Sequence, residues 1–323
     1  MKVLVLGGSG HIGAAFVRHA GSGEDVEVWR ASRRAVAAGE RAVQLDTLDG
    51  AALARALAGF DGVVNCVAGS AQTISAGAGR LAQAALQAGC GRIVHLSTVS
   101  VYGPVEGRIR EDAALDPGLG WYAQAKCEAE ARMGDFARQG GQVVVLRPGC
   151  VAGPGSQPWV GRIGRWLRAG RLGDLGAAGD GWTNLVHVLD VCRAIEAGLR
   201  LPLQGGALQV FNLAAPDSPR WSSYFVDLGV AIGASPIQRL SPRRLRLDAK
   251  LLGPPLKVAE KLMSRLGLPA QALPEAISPA LVRLWQQQIQ LDAGAASDRL
   301  GLSWTPYPEL LQDSADWFNS RAG

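Results

Sequence analysis

Tyr122 and Lys126 stand four residues apart in Tyr122-Ala123-Gln124-Ala125-Lys126. On a helix that spacing sets the phenol and the ammonium on one face, about one turn apart. A free phenol has a pKa of about 10 and is a poor base at neutral pH. An ammonium nearby would stabilise the phenolate and bring the group toward the working range for proton transfer. Tyr-x-x-x-Lys is common by chance, so it needs company. Ser97-Thr98-Val99-Ser100-Val101-Tyr102-Gly103 supplies it at the end of an apolar run. A hydroxyl on the rim of a sheet can hold a substrate carbonyl beside the tyrosine. The plainer alternative is a hydroxyl that only caps the strand end.

A second constellation opens the chain. Gly7, Gly10 and Gly13 recur at three-residue spacing in Gly7-Gly8-Ser9-Gly10-His11-Ile12-Gly13, between a strand-like run and a helix-like one. Such a loop turns tightly at Gly7 and lets backbone approach a pyrophosphate at Gly10. At Gly13 it lets helix and sheet pack closely, with the anion at the helix N-terminus. This predicts a dinucleotide site, with Ser9, His11 and Ile12 among its residues. An acidic residue after the second strand would favour a free ribose 2′-OH. Here the run Val26–Arg30 leads into Ala31-Ser32-Arg33-Arg34, with no carboxylate near the expected place. Ser32, Arg33 and Arg34 suit a 2′-phosphate, so NADP(H) is expected, with NAD(H) as the alternative. Asp46 is a candidate acceptor for the adenine amino group, and Asp49 a cap for the following helix. An oxidised nicotinamide would add positive charge near the phenol.

These residues need a scaffold, and the first half of the chain predicts one. Candidate strands are Lys2–Leu6, Val26–Arg30, Ala42–Leu45, Gly62–Val67, Arg92–Ser97 and Gln142–Arg147. Helical spacing of apolar residues occupies His11–His19, Ala51–Ala58, Gly79–Ala88 and Trp121–Arg138. Continuous apolar strands separated by helices imply a parallel sheet covered on both faces. The expected class is α/β, a Rossmann-type doubly wound sheet with its crevice at the carboxyl ends of the strands. Residues 1–154 form the expected dinucleotide-binding domain, and 155–323 mainly a smaller, partly helical substrate lobe, with 184–215 returning to the first. Pro-rich breaks at Ser235-Pro236, Ser241-Pro242, Gly253-Pro254-Pro255 and Leu273-Pro274 cut the later region into short helices.

Bulk properties narrow the class further. The 323 residues are 48% hydrophobic and 19% charged, as in a globular protein rather than a disordered one. A net charge of +5 is far too small to argue for nucleic acid. No apolar run approaches the roughly 20 residues that span a bilayer, and no signal peptide is visible, so no membrane partner and a cytoplasmic location are expected. Cys66, Cys90, Cys127, Cys150 and Cys192 form no Cys-x-x-Cys pair and read as reduced thiols.

Taken in order, these motifs resemble those of the extended short-chain dehydrogenase/reductase family, in its NAD(P)-dependent epimerase/dehydratase branch. The matching pieces are the glycine loop, Asp46, Asn65-Cys66-Val67-Ala68, Ser97 to Gly103, Tyr122-x-x-x-Lys126, Leu146-Arg147-Pro148-Gly149 and Leu185-Val186-His187-Val188-x-Asp190. Near the end, Ala296 to Pro306 is similar to the family's closing helix and turn. The resemblance implies that Tyr122 is the general acid/base, Lys126 its pKa modulator and ribose ligand, and Thr98 the carbonyl-binding hydroxyl. It implies that Ala68 lines the path to the ribose and that Pro148 to Val151 line the nicotinamide end. His187 is read as structural. Relatives pair the helices around Gly79–Ala88 and Trp121–Arg138 between two copies, which makes a homodimer an expectation.

Two departures bear on substrate. Relatives that act on nucleotide-diphosphate sugars commonly carry Arg-Asp where this chain has Thr183-Asn184, and an asparagine where Ile74 stands. Both speak against a sugar nucleotide. The expected function is therefore NADP(H)-dependent interconversion of a carbonyl and an alcohol on a small non-nucleotide substrate. Alternatives are a sugar-nucleotide epimerase or dehydratase and, in a different class, a dinucleotide-sensing protein without catalysis. Arg162, Arg165 and Arg168 read as a solvated helix face. Trp159, Trp166 and Trp182 suit either a pocket wall or core packing.

Overall fold

The computed structural model of the chain describes residues 1–21, 26–33, 36, 40–247 and 276–321. Arg34 and the breaks at Gly253-Pro254-Pro255 and Leu273-Pro274 lie outside them.

The apolar runs form strands as expected. They are β1 (Lys2–Leu6), β2 (Glu27–Ser32), β3 (Ala42–Gln44), β4 (Gly62–Asn65) and β5 (Arg92–Leu96). Later come β6 (Gly107–Ile109), β7 (Gln142–Pro148), β8 (Cys150–Ala152), β9 (Leu185–His187), β10 (Leu208–Leu213) and β11 (Ile289–Leu291). Seven of them make one parallel sheet in the order β10-β7-β5-β4-β1-β2-β3. The pairs β6–β11 and β8–β9 stand apart from it.

Strand period sorts side chains to two faces. Val3 and Val5 of β1 pack with Phe16 of α1 (His11–Ala20) and Val191 of α6 (Val188–Arg200). Leu4 and Leu6 pack with Leu53 of α2 (Gly50–Leu57), Leu81 of α3 (Ala71–Ala88) and Met133 of α4 (Trp121–Arg138). Helices thus cover both faces, which is why these strands read as unbroken apolar runs. The architecture is a Rossmann-type α/β fold.

α3 begins eight residues before the expected start at Gly79. Ser70 caps it, accepting the Thr73 N–H at 3.2 Å, and Gly89 closes it with φ of 69°. β2 runs two residues further than expected, to Ser32. Both shifts matter at the site.

A third core lies over the carboxyl ends of the sheet, built on α5 (Arg162–Arg168), α7 (Trp221–Ala231), α9 (Pro279–Leu284) and α11 (Tyr307–Ser320). Between them, α8 (Pro242–Leu247) follows the Ser241-Pro242 break and α10 (Gly294–Leu300) packs back on the sheet. Trp221, Phe225, Trp285 and Trp166 interlock there, with Phe225 and Trp285 centroids 5.2 Å apart. Trp166 is core. The closing turn after α10 is tied down by the buried Asp190 carboxylate, which accepts the Thr305 hydroxyl at 2.8 Å and its N–H at 3.1 Å. All five cysteines are free thiols. Among the described residues no helix is long and apolar enough to cross a membrane.

Candidate active site

The glycine loop has the geometry its spacing predicts. Gly7 sits at φ +74°, and a Cβ there would come within 2.7 Å of the Cys66 carbonyl oxygen. A Cβ on Gly13 would meet the Gly7 oxygen at 2.3 Å, so helix and loop touch through bare backbone. Gly10 caps α1 without a side chain, leaving the first N–H groups of the helix facing outward. This cradle suits a pyrophosphate, and a side chain at Gly7 or Gly13 would force the surrounding backbone apart.

The end of β2 holds a correction. Arg30 pairs with Val5 in register, and its Cβ would lie 2.9 Å from a Cβ on Gly8, so Arg30 flanks the loop. Glu40 forms an ion pair with it. A carboxylate therefore does stand near the second strand, at Glu40. Ser32 ends the strand, and Arg33 is exposed next to it.

Asp46 is exposed in the turn after β3, where it accepts the Leu48 N–H at 2.9 Å. Asp49 caps α2 through the Ala52 N–H at 2.9 Å. Ser32, Arg33 and Asp46 lie outside the lining of the central cleft; Gly10, His11, Ile12, Ala68, Pro148 and Val151 are part of it.

That cleft, about 490 Å³, opens at the carboxyl ends of β1, β4, β5 and β7. Thr98 and Ser100 line one side, their hydroxyls 2.8 Å apart, and Tyr122 in the first turn of α4 faces it too. Tyr122 is 37% exposed and packs edge-on against Trp121. Its hydroxyl has no partner among the described residues.

Lys126 is placed differently from the expectation. It is 3% exposed, and its ammonium donates to the Leu96 carbonyl at 2.6 Å and the Val67 carbonyl at 3.4 Å. Burial lowers it to about 8, against the opposing pull of Cys66 and Glu130. The phenol is not lowered by its neighbour: burial pushes Tyr122 up from its ordinary value. Shared helix face brought the two residues together, but backbone carbonyls drew the ammonium inward.

Beneath the pair lies a buried charge network that sequence reading missed. Glu130, one turn past Lys126, accepts from Arg147 Nε at 3.0 Å and Nη2 at 2.7 Å, and from the Ser97 hydroxyl. Arg147 also donates to the Tyr102 hydroxyl at 2.8 Å, which donates to Asn212 Oδ1 at 2.7 Å. Burial works against the Arg147 charge, but its bonds to Glu130 and Tyr102 more than offset this and hold it above its usual value. The Ser97 hydroxyl is thereby committed, which leaves Thr98 and Ser100 to face the cleft.

Two histidines are structural in their contacts. His187 Nδ1 accepts the Leu189 N–H at 3.2 Å and caps α6, while burial lowers its pKa. His11 lines the cleft with Nε2 3.1 Å from the Pro154 carbonyl, and burial likewise lowers it.

Thr183 and Asn184 turn out to be fasteners. Asn184, at φ +46°, donates to the Ile289 carbonyl and accepts the Leu291 N–H, both at 2.8 Å, and so holds β11 beside β9. Thr183 donates to the Pro219 carbonyl at 2.7 Å. Trp159 and Trp182 wall the cleft, joined by Leu119, Leu284, Gln287 and Ile289. No aspartate, glutamate, lysine or arginine is among the described residues that line it.

Fold, glycine cradle and the cleft lined by Thr98 and Tyr122 together fit a dinucleotide-binding α/β enzyme scaffold. The chain belongs to the NAD dependent epimerase/dehydratase family, whose model matches residues 3–214. Among curated proteins it is 31% identical to Escherichia coli YeeZ over 147 residues, 46% of this chain and 48% of that one. The match thus spans about half of that relative's length. Among solved structures it is similar to a UDP-glucose 4-epimerase with UDP-glucose from Thermotoga maritima, at a TM-score of 0.75 and 18% identity over 100% of both chains. A dTDP-glucose 4,6-dehydratase in complex with NAD from Bacillus anthracis gives 0.75 and 18%, over 99% of this chain and 97% of that one. A UDP-glucuronic acid 4-epimerase from Bacillus cereus, with UDP-glucuronic acid and NAD, gives 0.72 and 17% over 99% of both. At such identities the likeness is one of fold.

Proposed function

We propose that this protein reversibly reduces a carbonyl on a small, uncharged substrate, using NADP(H), with Thr98, Tyr122 and Lys126 as its working residues. The observation that carries this reading is that no Asp, Glu, Lys or Arg is among the described residues lining the cleft. A sugar-nucleotide substrate would bring a second diphosphate beyond the one the α1 cradle suits, and the described lining of the cleft holds no Lys or Arg to meet it. Thr183 and Asn184, at the place of the family's arginine, are spent on holding backbone.

When bound, the dinucleotide gives or takes the hydride. Thr98 would hold the carbonyl oxygen, with Ser100 beside it. Tyr122, a phenol at neutral pH, would give the proton to that oxygen as the alcohol forms. Lys126, buried and charged, would meet the ribose and add positive potential under the phenol. The loop around Gly7 and Gly13 would seat the pyrophosphate. A homodimer would use the outer face of α3 and α4, where Ala76 and Gly79 leave room beside Arg80 and Arg132.

The second reading, a sugar-nucleotide epimerase or dehydratase, is favoured by the comparisons: the matched family carries that description and several neighbours hold UDP-sugars or NAD. The two separate cleanly in a spectrometer. Net loss of NADPH absorbance with a panel of small ketones and aldehydes is the expected result. Conversion of UDP-glucose or dTDP-glucose with no net change in cofactor would replace the first reading with the second. Tight NADPH binding with neither reaction would favour a dinucleotide sensor.

For the cofactor, Arg33 and Ser32 support NADP(H), and Glu40 works against it by neutralising Arg30. Arg33→Ala is expected to weaken NADPH about tenfold, the worth of one charge-assisted hydrogen bond. NADH affinity should be unchanged. Equal wild-type affinities for the two in a fluorescence titration would reject the preference.

A further inference from the structure

The polar groups around the cleft are mostly committed. Ser97 donates to Glu130, Thr183 to Pro219, and both ends of the Asn184 amide are bonded to β11. One amide is committed at one end only. Gln287 Nε2 donates to the Gly103 carbonyl at 2.9 Å and the Val105 carbonyl at 3.4 Å. Its main chain is held as well, accepting the Trp182 N–H at 3.3 Å and donating to Leu284 at 3.1 Å.

This arrangement fixes the amide's orientation. Turned over, its oxygen would face the Gly103 carbonyl oxygen at hydrogen-bond distance, acceptor against acceptor. The nitrogen therefore belongs to the loop that begins at Thr98, and Oε1 has no donor among the described residues. The cleft that Gln287 helps line has apolar walls at Leu119, Pro158, Trp159, Trp182 and Leu284.

We propose that Gln287 determines specificity in this cleft, its Oε1 accepting a hydrogen bond from a hydroxyl or N–H carried on an otherwise apolar, uncharged substrate. The inference rests on the reading of the cleft as a carbonyl site and adds what lies at the substrate's other end. An acceptor enclosed by a ligand that brings no donor loses its water and gains nothing, so the site rejects a ligand lacking the donor. The same amide ties the selecting group to the Gly103 and Val105 carbonyls, in the loop that follows Thr98. Lys, Arg, Asp and Glu are absent from the described lining, so an ionised substrate would enter without a partner.

The test measures binding of para-hydroxybenzylacetone and its para-methoxy ether to the protein saturated with NADP. Wild type and Gln287→Met are compared by quenching of the tryptophan fluorescence. Wild type is expected to hold the phenol about tenfold more tightly than the ether, as one neutral hydrogen bond allows. In Gln287→Met the ratio should fall to about one. Loosening of the loop tied to Gly103 would weaken both compounds alike, so the ratio separates recognition from structure. A ratio unchanged by the substitution, or no binding of either compound, would overturn the proposal. NADPH oxidation by the same ketone is followed in parallel: selective binding without turnover would sink the carbonyl reduction and leave the Gln287 assignment standing.

Discussion

Tyr122→Phe is expected to lower kcat about a thousandfold and to leave the Kd for NADPH unchanged. General acid–base catalysis by one side chain is worth roughly 10²–10⁴. Phenylalanine keeps the ring and its edge-on contact with Trp121, and the residue is 37% exposed, so folding should not suffer. Only the proton donor goes. Stopped-flow or steady-state NADPH oxidation with any accepted ketone reads the effect, and turnover within a few-fold of wild type would remove Tyr122 from the mechanism.

The pH dependence follows from the same geometry. A phenol of ordinary pKa, about 10, is protonated at neutrality; Tyr122 is shifted further up, so it is in the form that gives a proton to a forming alkoxide. Lys126, lowered to about 8 by burial, is the group that changes charge first as pH rises. It is charged below that pH and neutral above it. Measured as kcat/KM for NADPH, which reports free-enzyme groups, activity is expected to be flat below about pH 8 and to fall above it. Lys126→Met should lower the plateau and abolish the break. A break that survives the substitution would assign it elsewhere.

What the chain discloses by itself depends on how far apart the interacting residues lie. The glycine loop was legible because the turn, the bare helix contact and the capless N-terminus are all set within seven residues, Gly7 to Gly13. β1 and α4 matched their expected bounds because apolar period is a local signal. α3 was cut short because Ala71 to Ala78 is rich in small residues with little contrast between faces, although Ser70-x-x-Thr73 carried a cap signal. The two carbonyls that hold Gln287 lie in a segment distant in the chain, and the Arg30–Glu40 ion pair fits no helical or strand period, so no spacing rule reaches either. The Tyr-Lys spacing gave the shared face correctly, but whether the ammonium meets the phenol or the Leu96 carbonyl is decided by β5, which lies in another part of the sequence.

The second large effect comes from the network under the site. Arg147→Met is expected to cost about 3–5 kcal/mol of stability, because it leaves Glu130 charged and buried without its partner. The two side chains are 5% and 7% exposed, so solvent does little to screen them. The loss should exceed that from exposed pairs such as Arg138–Asp135, worth about 0–1 kcal/mol. Glu130→Leu in the Arg147→Met background should restore much of the stability, since two apolar side chains of similar volume need no counter-charge. Urea unfolding of the two single variants and the double variant closes the cycle, and equal costs that simply add would show that the pair is not coupled. Activity should not recover with stability. In the double variant the Ser97 hydroxyl loses its acceptor and Lys126 loses the nearby negative charge that opposes its lowering. The lysine would then be neutral at lower pH, and the fall in kcat/KM for NADPH should move to lower pH as well. A stable double variant with the wild-type pH profile would confine the network to folding; a shifted profile would make Glu130 the residue that keeps Lys126 charged at neutral pH.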